Sequence, residues 1–195
     1  MTILSLDVSF SNFGWSIFRD GVPFSSGVIT TDALKNKKIR VACQDYDRSQ
    51  QALEELVTIA KNFKAQGFVG ELPTGSQSAG AAKCNGMAIG VVAAAAHVLN
   101  LPAEWATPDM VKVAVCRNKK ASKEEIMDAI IERFGGKKTV KVIPVSKGKR
   151  AGKVSRRIDY LFCGRVIPAG EFEHIADSCG AYLALSNFNL VRMFG

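Results

Sequence analysis

The stretch ILSLDV at residues 3–8 organises the rest of the chain. It is apolar except for Ser5 and Asp7, and polar residues 9–12 follow it as a turn. An apolar run then resumes at Trp15 and closes at residues 19–21, and Gly14 before it is expected to give the backbone freedom. Two apolar segments joined by a short polar turn predict a pair of β-strands.

Asp7 is a carboxylate at the end of a strand that the pattern predicts to be buried. An isolated buried carboxylate costs several kcal/mol unless it is hydrogen-bonded, paired or bound to a cation. Two interpretations are therefore open from this stretch alone. Asp7 either caps its own turn through the amides of Ser9 or Ser11, or it belongs to a functional site.

The composition indicates a globular protein with a full core. The chain has 195 residues, of which 47% are hydrophobic and 23% are charged, and this favours one domain with an insertion. The N-terminus lacks the features of a signal peptide and we expect no run long enough to span a bilayer, so we predict a cytoplasmic protein without membrane contact. The five cysteines include no C-x-x-C pair, which argues against disulfides and zinc.

The net charge of +8 is concentrated in one segment. Residues 137–157 contain no acidic residue and many Lys and Arg residues. Such a block indicates a polyanionic partner, because each neutralised phosphate releases counterions; the alternative is a solvated basic loop. The basic residues of the segment are Lys137, Lys138, Lys141, Lys147, Lys149, Arg150, Lys153, Arg156 and Arg157.

The remaining pattern predicts an alternation of strands and helices. Residues 22–30 form a third strand, and residues 68–72 form a short fourth strand that ends near Glu71. A further strand is expected at 103–106, and helices are expected at 45–66, 76–100, 107–115, 122–134 and 173–189.

The predicted helix at 76–100 is rich in small residues. Ala82, Gly86, Gly90 and Ala94 lie four apart and form one stripe that permits close approach of another backbone. We expect one face of this helix to pack on the sheet, and the stripe could serve either that contact or a subunit interface.

Three meandering strands followed by alternating helices and strands is the element order of the α/β ribonuclease H-like fold. In that fold the first and fourth strands are neighbours, which would bring Asp7 beside Glu71. His174 and Asp177 are three residues apart and share a helix face. Such a cluster of carboxylates with an imidazole would repel itself without a divalent cation.

The sequence resembles the RuvC-type Holliday-junction resolvases over residues 1–132 and 173–190. The resemblance rests on the strand at 3–7 with Gly14-Trp15, Glu71, the small-residue helix after Gly75, Lys112, Ala121 with Lys123-Glu124, and His174 to Asp177. It implies a five-stranded mixed sheet of order 3-2-1-4-5 with helices on both faces, in a single nuclease domain spanning 1–195 with a basic insertion at about 135–172.

The same resemblance implies a function. It implies a homodimeric crossover junction endodeoxyribonuclease, whose metal-dependent paired nicks resolve four-way DNA junctions. Asp7, Glu71, His174 and Asp177 would be the catalytic residues and would hold two Mg²⁺ ions, and the imidazole could favour Mn²⁺. His174 could instead be a helix cap or surface residue, with Glu173 serving in its place.

Several cations are expected to contact DNA. The resemblance implies that Lys112 and Lys123 approach phosphates, and the loop between them adds Arg117, Lys119 and Lys120. In the basic insertion we expect the same role for Lys149, Arg150, Arg156 and Arg157. All of these could also be ordinary exposed cations.

Two other classes of protein compete with the nuclease interpretation. A non-catalytic junction-binding protein on the same fold would keep the basic surfaces but lose one or more carboxylates, and Asp7, Glu71 and Asp177 are all present. An actin-like or sugar-kinase ATPase also begins with an acidic strand, but it needs a second lobe for which the chain is too short.

Overall fold

A computed structural model of the protein describes residues 1–31, 39–76, 78–144 and 154–186. Its first three strands form the predicted meander: β1 (Thr2–Asp7), β2 (Asn12–Arg19) and β3 (Val22–Thr30). Asp20 and Gly21 join β2 to β3 with φ angles of 49° and 81°, the two positive values that a type I′ hairpin turn requires.

The meander continues into two parallel strands, β4 (Gly67–Glu71) and β5 (Ala103–Ala106). The strand order is β3-β2-β1-β4-β5, so the predicted five-stranded mixed sheet is confirmed. Asp7 is the register partner of Glu71 at the carboxyl ends of β1 and β4.

Helices cover both faces of this sheet. The alternating side chains of β1 enter two cores: Leu4 and Leu6 face one, and Ile3 faces the other. The first core contains residues of α1 (Val41–Phe63) and α2 (Ala79–Leu99). The second contains residues of α3 (Pro108–Cys116), α4 (Lys123–Phe134) and α5 (Ala169–Leu185).

Each predicted helix is present with shifted ends. The largest shift that bears on function is in α5, which begins at Ala169 instead of residue 173 because Pro168 stands immediately before its first turn. His174 is therefore in the second turn of α5 and is not a helix cap. The predicted end of this helix at residue 189 lies outside the described residues.

Two parts of the basic segment, together with the residues that follow it, form a second sheet that the sequence pattern did not predict. Strands β6 (Lys137–Pro144), β7 (Val154–Phe162) and β8 (Arg165–Pro168) are antiparallel and ordered β6-β7-β8. The sheet is anchored at its base, where the Tyr160 ring stacks on Phe172 of α5 with centroids 4.4 Å apart.

The small-residue stripe of α2 faces outwards. Ala82, Gly86 and Gly90 are exposed, and a Cβ added at Gly86 or Gly90 would meet no atom within 4 Å. Sheet packing therefore uses a different face of α2, formed by its buried residues Ala88, Val91, Val92, Ala95 and Ala96.

Contrary to the expectation from the sequence, α2 is long and apolar enough to cross a membrane by length and composition, and it is the single such helix in the described part of the chain. Core helices of soluble proteins pass the same test. Because one face of α2 lies in the core beneath the sheet, this finding is weak evidence for a membrane span.

Candidate active site at the end of the central sheet

Two carboxylates stand side by side where the central parallel strands end. Asp7 closes β1, Glu71 closes β4, and the two residues are direct partners in the parallel register. Neighbouring strands lie about 4.8 Å apart, and ligand sites of open α/β sheets form beyond the carboxyl ends of such strands. The predicted pairing of Asp7 with Glu71 is therefore confirmed by the backbone.

Helix α5 brings an imidazole to the same place. The His174 Nδ1 atom is 2.8 Å from Oδ2 of Asp7. The partner of the Asp7 carboxylate is thus a side chain from the far end of the chain, instead of the amides of Ser9 or Ser11 in its own turn.

Gly14 allows α5 to approach the sheet this closely. A Cβ at position 14 would lie 2.2 Å from the backbone oxygen of His174, where no side chain can fit. The predicted role of Gly14 was backbone freedom, and this was wrong: its φ is outside the left-handed range, and the residue is needed for its lack of a side chain. Since Gly14 is paired with Asp7 across β1 and β2, the contact sets the height of His174 over Asp7.

A buried group of hydroxyls fixes the rotation of α5. Ser5 donates a hydrogen bond of 2.6 Å to the backbone oxygen of Ser178, and the hydroxyls of Ser16 and Ser178 are 2.7 Å apart. All three side chains are fully buried. Because Ser178 lies one turn after His174, these bonds keep the His174 side of α5 against the sheet. The sequence analysis did not predict this role. The signal for it was the presence of Ser5 and Ser16, two polar residues inside otherwise apolar strands.

The carboxylates of the site are largely buried and repel one another. Burial, followed by the charges of Asp177 and Asp7, raises the pKa of Glu71 from 4.5 to about 8. Burial, followed by the charges of Asp7 and Glu173, raises the pKa of Asp177 from 3.8 to about 7. Near neutral pH the site therefore takes up protons unless another positive charge is supplied.

The pKa of the imidazole is raised as well, and for this group the shift favours the charged form. The hydrogen bond to Asp7 is the main cause that raises the pKa of His174 above its usual value, and burial opposes it. The charges of Glu173 and Asp177 also raise the pKa. The protonated form of His174 is thus stabilised by the acids around it.

Both lysines implied by the resemblance lie within electrostatic reach of this cluster. The charges of Lys112 on α3 and Lys123 on α4 each lower the pKa of Glu71. Lys123 also forms an ion pair with Oε1 of Glu173. Glu173, considered above as a substitute for His174, is therefore engaged by a lysine, while His174 faces Asp7.

The donor atoms are not arranged as a ready metal site. Among residues 1–31, 39–76, 78–144 and 154–186, no group of three or more His, Cys, Asp or Glu side chains could hold a metal ion as it stands. The hydrogen bond between Asp7 and His174 joins two of the expected ligands to each other. The chemistry of the set nevertheless fits a hard divalent cation, because buried carboxylates that repel one another would be stabilised by it.

The other predicted DNA contacts that the structure describes lie on two exposed surfaces. Arg117, Lys119 and Lys120 form the loop between α3 and α4, where Lys119 is 3.5 Å from Asp109. Arg156 and Arg157 are exposed on β7 of the second sheet. Lys149 and Arg150 lie outside the described residues.

No protein-family model and no curated protein matches the chain in sequence. Among solved structures it is similar to Thermus thermophilus RuvC in complex with a Holliday-junction substrate, with a TM-score of 0.64, 16% identity, and coverage of 100% of this chain and 96% of the other. Another Thermus thermophilus RuvC structure gives a TM-score of 0.62 at 16% identity, with coverage of 100% of this chain and 97% of that chain.

The yeast mitochondrial Holliday-junction resolvase Ydc2 is similar with a TM-score of 0.54 and 15% identity, over 99% of this chain and 84% of that chain. The resemblance to RuvC-type resolvases predicted from the sequence is thus confirmed at the level of the fold.

Proposed function

We propose that the protein is a metal-dependent endonuclease that resolves four-way DNA junctions by paired nicks. The observation that carries the proposal is the convergence of Asp7, Glu71, His174 and Asp177 at one end of a sheet whose fold is shared with RuvC. One of those RuvC structures is bound to a Holliday junction, which supports branched DNA as the substrate class.

Asp7, Glu71, His174 and Asp177 would hold the metal, which we take to be two Mg²⁺ or Mn²⁺ ions. A bound divalent ion lowers the pKa of a water molecule and neutralises charge on a phosphate. Glu71 and Asp177 are largely buried, and the nearby cations compensate their negative charge only in part. The contact between Asp7 and His174 would open on binding, because both side chains are needed as ligands.

The protein's own cations would bind and orient the DNA strand. Lys112 and Lys123 stand beside the carboxylates, where they reduce the repulsion between the acidic site and an approaching phosphate. Arg117, Lys119 and Lys120 extend this positive rim along the loop between α3 and α4. Phosphate contacts of this kind position a duplex without reading its sequence.

A cleavage assay tests the nuclease proposal. We expect the wild type to nick four-way DNA, more than linear duplex, only when Mg²⁺ or Mn²⁺ is added. Asp7→Asn, Glu71→Gln and Asp177→Asn should each reduce cleavage by more than about 100-fold, because losing a metal ligand costs more than losing one of its supporting partners. Each variant should still bind junctions, since it removes negative charge near phosphate.

Two results would contradict the proposal. If any one of these variants cleaved at the wild-type rate, the substituted residue would not belong to the active site. Binding of junctions without cleavage by either metal would favour a non-catalytic junction-binding protein on the same fold.

We also propose that the protein acts as a homodimer through α2. A four-way junction is two-fold symmetric, and two matched nicks are supplied by two copies of one site in a closed dimer. The outward stripe of α2 borders an apolar groove of about 420 Å³ between α1 and α2, lined by Tyr46, Ser49, Gln50, Leu53, Met87, Gly90, Val91 and Ala94.

Gly90→Leu tests this surface by placing a bulky side chain in the groove. The space around Gly90 is open in one protomer, so the variant should fold. We expect a monomer that binds junctions weakly and nicks one strand at a time. Gly170→Leu, at an equally open position of α5, is the control, and a fully active Gly90→Leu dimer would exclude this interface.

A further inference from the structure

Arg48 on α1 clamps the turn that follows Asp7. Its Nη2 group donates hydrogen bonds to the backbone oxygen of Phe10, at 3.3 Å, and to Oγ of Ser11, at 2.9 Å. Its Nε–H group donates a hydrogen bond of 3.2 Å to Oγ1 of Thr31. The guanidinium also lies over the Phe10 ring, with Cζ 4.3 Å from the ring centroid. One side chain therefore holds the turn between β1 and β2 from the α1 side.

These bonds leave part of the guanidinium unused. They all come from Nε and Nη2, so the two hydrogens of Nη1 have no acceptor among the described residues. Ser11 is exposed, and its hydroxyl accepts a bond from Arg48 while no described residue accepts its own proton. Because Nη1 belongs to the guanidinium that contacts Ser11, two unused donor groups lie close together on this turn.

The positive charge of Arg48 has no counter-ion in the part of the chain that the structure describes. Arg48 is only partly exposed, and no described carboxylate forms an ion pair with it. Asp45, three residues earlier on α1, is paired with Lys83 at 2.5 Å instead. A partly buried cation is costly unless it is paired, and hydrogen bonds to a turn do not by themselves require a charge. The unpaired charge therefore indicates an anionic ligand.

Arg48 approaches the active site from the opposite face of the sheet to Lys112 and Lys123. Helix α1 contributes to the first core, whereas α3 and α4, which carry the two lysines, contribute to the second. Asp7 and Glu71 lie at the end of the sheet between these two faces. A DNA strand whose scissile phosphate lies over the carboxylates would therefore meet cations on both sides.

The distance from Arg48 to the carboxylates corresponds to a few nucleotides. Ser11 follows Asp7 by four residues, and a chain of that length spans at most about 14 Å. Phosphates of one strand of B-form DNA are spaced by about 3.4 Å along the helix axis. A phosphate held by Ser11 and Arg48 therefore lies within about four nucleotides of the phosphate over Asp7.

We propose that Arg48 and the Ser11 hydroxyl form a second phosphate-binding site, which holds the bound DNA strand on the α1 side of the carboxylates. This inference rests on the proposed function in that the anion is taken to be a phosphate of the DNA substrate. Nη1 of Arg48 supplies the charge and Ser11 supplies a further donor. Such a contact fixes the register of the strand over Asp7 and does not read the bases.

The salt dependence of binding tests the charge. Binding of a four-way junction would be measured in EDTA, so that no cleavage occurs, at several salt concentrations. We expect Arg48→Gln to reduce the slope of log K against log salt by about 0.7 to 0.9, the value for one phosphate. Arg19→Gln is the matched control, because Arg19 also stacks on a phenylalanine but lies at the far end of β2, and it should leave the slope unchanged. A wild-type slope in Arg48→Gln would overturn the proposal.

Neutral methylphosphonates locate the phosphate that Arg48 contacts. One is placed at a time around the centre of the junction, and its effect on binding is compared between the wild type and Arg48→Gln. We expect one position at which the modification weakens binding by the wild type but not by the variant, because the two changes remove the same interaction. Lys123→Gln should be insensitive at a different position, since Lys123 lies on the other face. Additive effects of Arg48→Gln at every position would overturn the proposal.

Ser11→Ala keeps the test decisive if Arg48→Gln loosens the turn. Arg48 would retain its bonds to Phe10 and Thr31, so this variant should unfold at the wild-type temperature. Removal of a neutral hydroxyl should leave the salt slope unchanged but reduce the effect of the same methylphosphonate. If Arg48→Gln lost thermal stability while its slope and its methylphosphonate pattern stayed as in the wild type, Arg48 would only clamp the turn and the proposal would be wrong.

These results are separable from the nuclease proposal, because all binding is measured without metal. A wild type that cleaves no junction with Mg²⁺ or Mn²⁺ but shows the coupling between Arg48 and one phosphate would remove the nuclease and retain the site. A wild type that cleaves junctions but shows no such coupling would retain the nuclease and remove the site.

Discussion

Gly14→Ala is the substitution that most directly tests how the site is assembled. The added Cβ would lie 2.2 Å from the backbone oxygen of His174, and real Cβ atoms essentially never approach another atom closer than 3.0 Å. Helix α5 must therefore retreat by at least about 0.8 Å, the difference between these distances. Overpacking of this kind costs about 1–3 kcal/mol of unfolding free energy.

The retreat should damage activity more than stability. His174 and Asp177 are carried by α5, whereas Asp7 and Glu71 belong to the sheet, so the shift separates the two halves of the site. A misplacement of about 1 Å can cost about 100-fold in rate. We therefore expect Gly14→Ala to cleave junctions about 100-fold more slowly while it retains its fold and DNA binding.

The assay combines junction cleavage with Mg²⁺, thermal unfolding, and junction binding in EDTA. Gly170→Ala is a matched control on the same helix, because a Cβ at Gly170 meets no atom within 4 Å. It should unfold at the wild-type temperature or slightly above and cleave normally. If Gly14→Ala cleaved at the wild-type rate, the close contact between β2 and α5 would not position the site.

Three further predictions concern the charges of the site. The pKa of Glu71 is raised to about 8 and that of Asp177 to about 7. Between these values and the lower pKa values of the unfolded chain, the folded protein binds more protons than the unfolded chain does. The metal-free protein should therefore lose stability as the pH rises from about 4.5 to about 8. Thermal unfolding in EDTA should show this loss of stability, and Glu71→Gln should make it less steep. Mg²⁺ should restore stability at pH 8.5. A melting temperature independent of pH would contradict the raised pKa values of the two carboxyl groups. Glu173→Gln should free Lys123 and tighten junction binding in EDTA, whereas unchanged binding would show that their ion pair does not compete with phosphate. His174→Asp should shift the metal preference from Mn²⁺ towards Mg²⁺ in a cleavage assay, and an unchanged preference would place His174 outside the metal site.

The fold could be predicted because its signals are local and repeated. Each strand of the main sheet carries a short apolar run, and the order of strands and helices restricts the topology to few solutions. The neighbouring positions of Asp7 and Glu71 followed from that order, although neither strand alone indicates its partner. What the pattern could not supply was the set of contacts between distant elements, such as Ser5 and Ser16 with Ser178.

Strands β6 and β7 escaped prediction for a physical reason. Strand patterns are recognised by alternation between a buried apolar face and a polar face. All side chains from Val140 to Val142 on β6 and from Ser155 to Arg157 on β7 are exposed, and cations occur on both faces, so no such alternation exists there. The dense positive charge did indicate a polyanionic partner, and the fold adds that this charge is distributed over two faces.

The choice between Glu173 and His174 shows the limit of sequence reasoning at the site itself. Adjacent residues of a helix differ in direction by about 100°, so only one of the two can face the sheet. The sequence alone does not show which of the two faces the sheet, because this depends on where α5 begins and on which contacts fix the rotation of the helix. Pro168 sets the beginning of α5. Ser178 aligns the helix with the sheet, because its backbone oxygen accepts a hydrogen bond from Ser5 of β1 and its hydroxyl is hydrogen-bonded to Ser16 of β2. These two features turn His174 towards Asp7 and leave Glu173 to Lys123, so packing beneath the site decides which of the two side chains contacts Asp7.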